Sequence, residues 1–281
     1  MTTITLTDIT LTDDRALVPA HRPAGPLATA GAVAARTARK FVRTPQLLVI
    51  STVTGAMFLL IFRYVFGGAI DTGPIPYVDF LVPGYVVTSV LFTGSNASSG
   101  VAEDSEQGFT DRLRSLPVSR PALLAGRVVA EAGLLALGLA VTVAIGFAVG
   151  FRLHGGVPEA LAAFGLCAVF GLAFMWMFVW IGLVAGNAQA AQGMSLLVFP
   201  LSFVSSAYVQ VDTMPGWLQP VAEHQPLTAM TNAVRALVLG DPAAAGLSGS
   251  TAHWVLLSLA WSAGLVAVFA PLAVARYRRS S

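Results

Sequence analysis

Charged residues are scarce in this sequence. Asp, Glu, Lys and Arg make up 11% of its 281 residues, hydrophobic residues make up 56%, and the mean hydropathy is +0.74. A soluble domain carries about 25% charged residues. A chain of this length with so little charge lacks the polar surface to coat a water-soluble globule. The composition therefore excludes soluble classes and indicates an integral membrane protein.

Lysine is nearly absent, because Lys40 is the only one in the chain. The nucleotide-binding P-loop needs a lysine directly after a glycine-rich turn, since its ammonium group must reach the terminal phosphates. Lys40 instead stands between Arg39 and Phe41. The sequence therefore has no P-loop, and we expect no ATP hydrolysis by this chain alone.

Residues that ligate metals or act as nucleophiles are also few. Cys167 is the only cysteine, and none of the four histidines stands three or four residues from another. That spacing is the one that places two ligands on the same face of a helix. Neither G-x-S-x-G nor H-E-x-x-H occurs. We predict no catalytic residue, no metal site and no cofactor in this chain, which disfavours a membrane enzyme.

The apolar residues gather in six segments, each long enough to cross a bilayer as a helix. They are 46–66, 80–101, 123–150, 159–185, 193–211 and 252–275. We therefore predict an all-α polytopic membrane protein with six transmembrane helices. The second segment ends in the serine-rich run 94–100, which is unsuited to lipid contact, so we expect that end to face protein or a cavity.

The positive charges predict the orientation. Of the 16 Lys and Arg residues, 13 precede the first segment, follow the sixth, or lie around the connection between the second and third. Cytoplasmic sides of membrane proteins carry such an excess. We therefore predict a multi-pass protein of the cell membrane with both termini in the cytoplasm, which leaves Arg63, Arg152 and Arg235 on the outer side.

Shorter segments flank this framework. Residues 1–27 are polar and without helical period, which predicts a mobile cytoplasmic tail. In 28–43, four cations lie opposite an apolar stripe, as is typical of a helix lying on the membrane surface. In the long outer stretch 212–251, residues 227–239 are apolar but too few to span, which favours a re-entrant or interfacial helix.

The inner connection between the second and third segments carries acids first and bases afterwards, the order that a helix dipole favours. Its residues alone leave two interpretations equally open. It is either a solvated loop that fixes topology, or a rigid helix that docks on a partner and passes its movement into the adjoining segments.

Five stretches together resemble the type-2 permeases of ATP-binding-cassette exporters, in the daunorubicin/doxorubicin-resistance branch. One is this inner connection, with its acidic start, Gly108, the step 111–113 and the Pro-x-Ser-Arg exit at 117–120. The others are 62–70, 77–84, 214–218 and 223–228. The similarity runs from about residue 30 to residue 279, and the set of motifs is fairly specific.

The resemblance implies a transmembrane domain over 28–281, with a connecting helix at 28–43, a coupling helix at 105–115 and outer re-entrant helices after the fifth segment. It implies that ATP and magnesium bind a separate ATP-binding subunit, present in two copies, beside a second permease that is identical or related. The residues that it implies for ATPase coupling are Asp104, Glu106, Gly108, Asp111, Arg112, Arg114 and Arg120.

In that family the second and fifth segments line the path between the permeases. The path residues that the resemblance suggests are Phe92, Asn96, Phe199, Phe203, Ser206 and Tyr208. Aromatic residues on membrane helices more often pack or contact lipid, so each of these six is a hypothesis.

The expected function is therefore the permease subunit of an ATP-driven exporter of amphipathic drugs, antibiotics or lipids. The alternative is an ion-coupled secondary transporter or channel. Such carriers usually hold an ionisable residue near the middle of the bilayer, whereas Arg63, Glu131 and Glu159 fall toward segment ends. Membrane lipids are expected contacts, and nucleic acid is not, at a net charge of +2.

Overall fold

The computed structural model describes residues 45–70, 72, 75–106, 120–242 and 246–279, and of residues 45–52, 120–130 and 278–279 it describes the backbone alone. Every regular element in these ranges is helical, which confirms the all-α class. The predicted tail at 1–27, the connecting helix at 28–43 and most of the coupling helix at 105–115 lie outside the described residues.

Nine α-helices, a π-helical turn and a 3-10 turn form the described part of the chain. In order they are α1 (Pro45–Ile61), the π-helical turn (Phe62–Phe66), α2 (Tyr77–Glu106), α3 (Arg120–Val149), α4 (Val157–Ala185), α5 (Ala188–Leu196), α6 (Pro200–Phe203), the 3-10 turn (Val211–Thr213), α7 (Gln219–His224), α8 (Pro226–Leu239) and α9 (Thr251–Arg279).

Four of these helices, α2, α3, α4 and α9, are long and apolar enough to cross a membrane, and Val53–Phe66 forms a shorter apolar helix. Their bounds lie within five residues of those of the predicted segments. Gly186 adopts φ +80° directly after α4, a left-handed conformation that closes a helix and favours glycine. The total of six membrane crossings stays a prediction.

The fifth predicted segment, 193–211, differs from a single helix. After α5, the N–H groups of residues 197–199 donate to carbonyls three residues back rather than four, and α6 then begins at Pro200. Proline has no N–H with which to continue an α-helix. An apolar composition therefore continues through this segment while the helical hydrogen bonding does not.

Helix α2 lies at the centre of the bundle. It packs against α3, α4, α5 and α8, and α9 packs against α4 and α8. Small residues allow the close approach: a side chain at Gly94 would collide with Phe178, and one at Gly182 with the backbone of Ser98. Ser95 and Ser98 of the serine-rich run 94–100 are buried against protein, as predicted for this run, whereas Asn96 of the same run is exposed.

Candidate functional site

Four of the six predicted path residues are accessible from outside the subunit. Phe92 is 43% exposed, and its ring meets that of the partly buried Phe199 edge-on, with 4.4 Å between centroids. Asn96 is exposed one turn further along the same side of α2. Phe203, four residues after Phe199, is 54% exposed. We refer to Phe92, Asn96, Phe199 and Phe203 as the aromatic face.

The other two predicted path residues lie inside the subunit. Ser206 Oγ donates to Asn232 Oδ1 at 2.9 Å, and its backbone N–H donates to Thr228 Oγ1 at 3.2 Å. The hydroxyl groups of Tyr208 and Thr88 lie 2.7 Å apart in a hydrogen bond. Ser206 therefore fastens the fifth segment to α8, and Tyr208 fastens it to α2.

A stack of rings behind the aromatic face was missed by the sequence interpretation. The ring centroid of Tyr208 lies 5.5 Å from that of Phe58, 5.0 Å from that of Phe62 and 5.5 Å from that of Phe203. Phe58, Phe62 and Phe66 are spaced four residues apart, and this spacing predicts that they share one face of a helix. The stack joins α1 and the π-helical turn to the fifth segment.

Arg235 is the most deeply buried charged side chain that the structure describes, at 1% exposure. Its Nε and Nη2 donate to the Phe80 carbonyl at 3.1 and 2.8 Å, and Nη2 also donates to the Ala207 carbonyl at 3.1 Å. The guanidinium carbon lies 3.5 Å from the ring centroid of Phe80. The side chain lies inside the subunit and joins α8, α2 and the fifth segment, while the position of Arg235 on the outer side of the membrane stays a prediction.

The electrostatics of Arg235 follow from this burial. Removal from water disfavours the charged guanidinium and lowers the pKa of Arg235 to about 9. Carbonyl oxygens and the face of Phe80 take the place of water around it. Nearby, a side chain at Gly84 would collide with the backbone of Ala207, so only glycine allows α2 and the fifth segment to meet this closely.

The predicted coupling residues are described only in part. The structure shows the side chains of Asp104 and Glu106 at the end of α2 and the backbone of Arg120 at the start of α3. Gly108, Asp111, Arg112 and Arg114 lie outside the described residues.

Glu106 connects the end of α2 to α5. Its Oε2 accepts a hydrogen bond from the backbone N–H of Ala188 at 3.3 Å. Asn187 Oδ1 caps the same helix start by accepting from the N–H of Ala190 at 2.7 Å. Further along, Ser195 Oγ donates to Ser98 Oγ at 2.9 Å. A chain of contacts thus runs from the end of α2 through α5 toward Phe199.

Residues 30–239 match the family model described as ABC-2 type transporter. The chain belongs to this family. The matched part ends with α8 and so includes the aromatic face, Arg235 and the contact of Glu106 with α5.

Individual relatives support the assignment to the ABC-2 type transporters. The chain is 35% identical over 248 residues to a daunorubicin resistance ABC transporter permease protein of Streptomyces coeruleorubidus, covering 88% of this chain and 84% of that protein. It is 27% identical over 241 residues to a probable doxorubicin resistance ABC transporter permease protein of Mycobacterium tuberculosis, covering 82% and 83%.

Membership of the ABC-2 type transporters confirms the resemblance drawn from the sequence motifs. It also makes the chain a multi-pass membrane component of a transporter rather than its ATPase. Within the described ranges, no group of three or more His, Cys, Asp or Glu lies close enough to hold a metal ion.

Proposed function

We propose that the chain is the permease subunit of an ATP-driven exporter of amphipathic small molecules, with drugs or antibiotics as its cargo. Two of its relatives are named as permeases of daunorubicin or doxorubicin resistance. Because the sequence has no P-loop, ATP and magnesium are assigned to a separate ATP-binding subunit, present in two copies.

The exposure of Asn96 carries the proposal. Its side chain makes no hydrogen bond within the described residues, although it lies on a helix apolar enough to cross a membrane. In contact with lipid, an amide would lose the hydrogen bonds that water gives it. The aromatic face therefore fits a second permease copy, or a related permease, with the cargo path between the two.

The composition of the aromatic face suits amphipathic cargo. Sites for small molecules are mostly apolar and aromatic, with a few polar groups that orient the ligand. Here Phe92, Phe199 and Phe203 supply apolar ring surface and Asn96 supplies one donor and one acceptor group. Ser206 and Tyr208 act behind this face by positioning the fifth segment.

We propose that movement of the ATP-binding subunit reaches the aromatic face through α5. The predicted coupling helix at 105–115 contains Glu106, whose carboxylate holds the start of α5. At its other end α5 leads into Phe199. A shift of the coupling helix on the ATPase would then change the spacing of Phe92 and Phe199.

Drug export tests the path. The chain is co-expressed with its ATP-binding subunit, and daunorubicin efflux is compared for wild type and Phe92→Ala with Phe199→Ala. Loss of two aromatic contacts, at about 0.5–1.5 kcal/mol each, predicts about tenfold weaker export at low drug concentration. Trp261→Ala, an exposed aromatic position on α9, is the control and should export normally. Unchanged export by the double variant would contradict the path.

The assignment of ATP hydrolysis to a separate subunit is tested by measuring ATPase activity. The purified chain alone should show no ATPase activity above background, and activity should appear with the ATP-binding subunit. Robust hydrolysis by the chain alone, in preparations free of other ATPases, would refute the permease assignment.

The predicted orientation of the chain in the membrane is tested by cysteine labelling. In intact cells, a cysteine replacing Gly216 should react with an impermeant thiol reagent, and one replacing Arg278 should react only after the membrane is opened. Labelling of position 278 from outside would reverse the predicted topology.

Coupling is tested by reversing charges on the coupling helix. Charge pairs buried on docking lose about 2–5 kcal/mol when one partner is removed, so Asp111→Lys with Arg112→Glu should abolish both co-purification of the ATPase and drug export. Membrane abundance is the control measurement. Full retention of partner and export would show that the connection only fixes topology.

A further inference from the structure

An apolar cavity of about 280 Å³ lies between α2, α3, α4 and α8, at the end where residues 150–156 connect α3 to α4. Its floor contains buried Val82, Ala163, Cys167 and Val234. We refer to it as the hairpin cavity. It is separate from the aromatic face, with which it shares no residue.

The cavity follows from how α3 and α4 are spaced. In their middle parts Gly171 of α4 lets Leu135 of α3 approach so closely that any side chain at 171 would collide with it. Toward the connection, Gly146 brings α3 against Val82 of α2 in the same way. There α3 is held on α2, and a gap between α3 and α4 remains.

The mouth of the hairpin cavity opens away from the bundle. Of the residues that line it, Phe147 and Leu153 are 37% and 38% exposed, and Val157 and Leu161 are 72% and 67% exposed. All four are large and apolar. Because α3 and α4 are both long and apolar enough to cross a membrane, such a mouth opens to lipid chains rather than to water.

The lining selects the kind of ligand. Among the side chains that line it, the thiol of Cys167 is the only one that is not purely hydrocarbon or aromatic. Sites for drug-like molecules add a few polar groups that fix orientation, and this cavity offers none. An apolar cavity of roughly 150 Å³ binds benzene, so this larger one has room for the end of a hydrocarbon chain.

A cation stands at the rim. Arg152 is exposed and lies between Phe151 and Leu153, which both line the cavity. Its Nη1 donates to the carbonyls of Phe147 at 3.1 Å and Phe151 at 2.8 Å, and its Nε and Nη2 make no hydrogen bond within the described residues.

The acids near Arg152 leave its charge uncompensated. Asp79 Oδ1 accepts only from the Arg152 backbone N–H at 3.4 Å, and Asp79 Oδ2 lies 3.9 Å from His154 Nε2. No salt bridge joins the guanidinium to Glu159 or to another carboxylate that the structure describes. A phosphate group is the acceptor that suits such a guanidinium at a membrane surface.

We propose that the hairpin cavity binds one acyl chain of a bilayer phospholipid, whose phosphate lies on Arg152. The apolar lining holds the chain, and the rim cation selects an anionic head group. This site is distinct from the cargo path and does not depend on which drug the protein exports.

The test uses the full chain in nanodiscs of phosphatidylcholine with phosphatidylglycerol, followed by native mass spectrometry. Wild type should retain one phosphatidylglycerol per chain. Ala160→Trp fills the cavity from a half-buried lining position and should bind about tenfold more weakly. Ala162→Trp, an exposed position on the same helix outside the lining, is the matched control and should bind like wild type.

The head group and the location are tested separately. Arg152→Gln should weaken phosphatidylglycerol binding about fivefold and phosphatidylcholine binding less, because choline already offsets the charge of the same phosphate. In wild type, phosphatidylglycerol with a photoreactive group near the chain end should label the peptide that contains Leu161 and Cys167. Unchanged binding by Ala160→Trp, labelling elsewhere only, or displacement of the labelled lipid by daunorubicin would overturn the proposal, the last by assigning the cavity to cargo.

Discussion

Helices α2 and α9 have nearly the same length, 30 and 29 residues, and each contains one proline. Their surroundings differ: 83% of the apolar stretch of α2 is buried inside the subunit, against 11% for α9. The more exposed helix is also the more apolar one. In water the opposite holds, because buried faces are apolar there. In a membrane, a helix surrounded by protein can carry polar residues, whereas a helix surrounded by lipid cannot.

The few polar residues of α9 follow the same rule. Ser258 and Ser262 are both buried and stand four residues apart, on one side of the helix. Ser258 Oγ donates to Met230 Sδ at 3.3 Å, and Ser262 Oγ donates to the Ser258 carbonyl at 2.9 Å. Both buried serine hydroxyls of α9 are therefore satisfied within the protein, as are the buried hydroxyls of Thr88 and Ser98 on α2. This difference between α2 and α9 can be tested by substitutions whose expected effects on stability differ between buried and exposed positions.

The largest effect is expected at the buried contact of α2 with α8. Arg235→Leu removes the guanidinium hydrogen bonds to the carbonyls of Phe80 and Ala207, and a hydrogen bond to a charged group contributes about 1.5–3 kcal/mol. We expect a loss of several kcal/mol in stability, measured by size-exclusion chromatography of the tagged, detergent-solubilised protein after heating. Arg235→Lys keeps the charge but not the planar guanidinium, so its stability should lie between those of wild type and Arg235→Leu. Wild-type stability of Arg235→Leu would show that these bonds contribute nothing.

Substituting alanine for glycine is expected to lower stability at one position of α2 and to raise it at one position of α9. Gly84→Ala on α2 forces a methyl group against the backbone of Ala207, and such overpacking costs about 1–3 kcal/mol. Gly264 on α9 has nothing within 4 Å of an added Cβ, so Gly264→Ala should stabilise the helix by up to about 1 kcal/mol. The same heating assay measures both. Equal effects of the two substitutions would break the distinction between the helices.

The smallest effect concerns a hydroxyl pair inside the bundle. Ser98→Ala removes the hydrogen bond between Ser195 Oγ and Ser98 Oγ, and interhelical hydrogen bonds in membranes contribute about 0.6 kcal/mol on average. A small drop in heat resistance is expected, while Ser105→Ala at the exposed end of α2 should leave it unchanged. If Ser105→Ala lowered stability as much, burial would not be the cause.

The sequence predicted this fold best where one signal determines an element. Segment 159–185 appears as α4 over Val157–Ala185, because a long apolar block and a closing glycine act locally. The helix in segment 193–211 is interrupted near Pro200, which lacks the N–H that an α-helix needs. Hydropathy reflects only composition, so it did not predict this interruption. The position of α8 was predicted from its length and apolar pattern, but its burial depends on α2, which a local pattern does not include.

The structure locates the six predicted path residues, while their role in a cargo path stays a prediction. The family resemblance led to Phe92, Asn96, Phe199 and Phe203, which the structure places at an accessible surface. It gave Ser206 and Tyr208 as well, whose partners Asn232 and Thr88 are distant in sequence and could not be inferred from spacing. The burial of Arg235 could not be inferred from counting cations, because the carbonyls that hold its guanidinium come from two other segments.

The single thiol of the chain gives this protein a practical property. Cys167 is 1% exposed on the floor of the hairpin cavity, so bulky water-soluble maleimides should not reach it. Spin labels or fluorophores attached at engineered surface cysteines would then report one site each, without first removing the native residue. Distances between such labels in two permease copies could be followed through the ATP cycle in an otherwise unaltered protein.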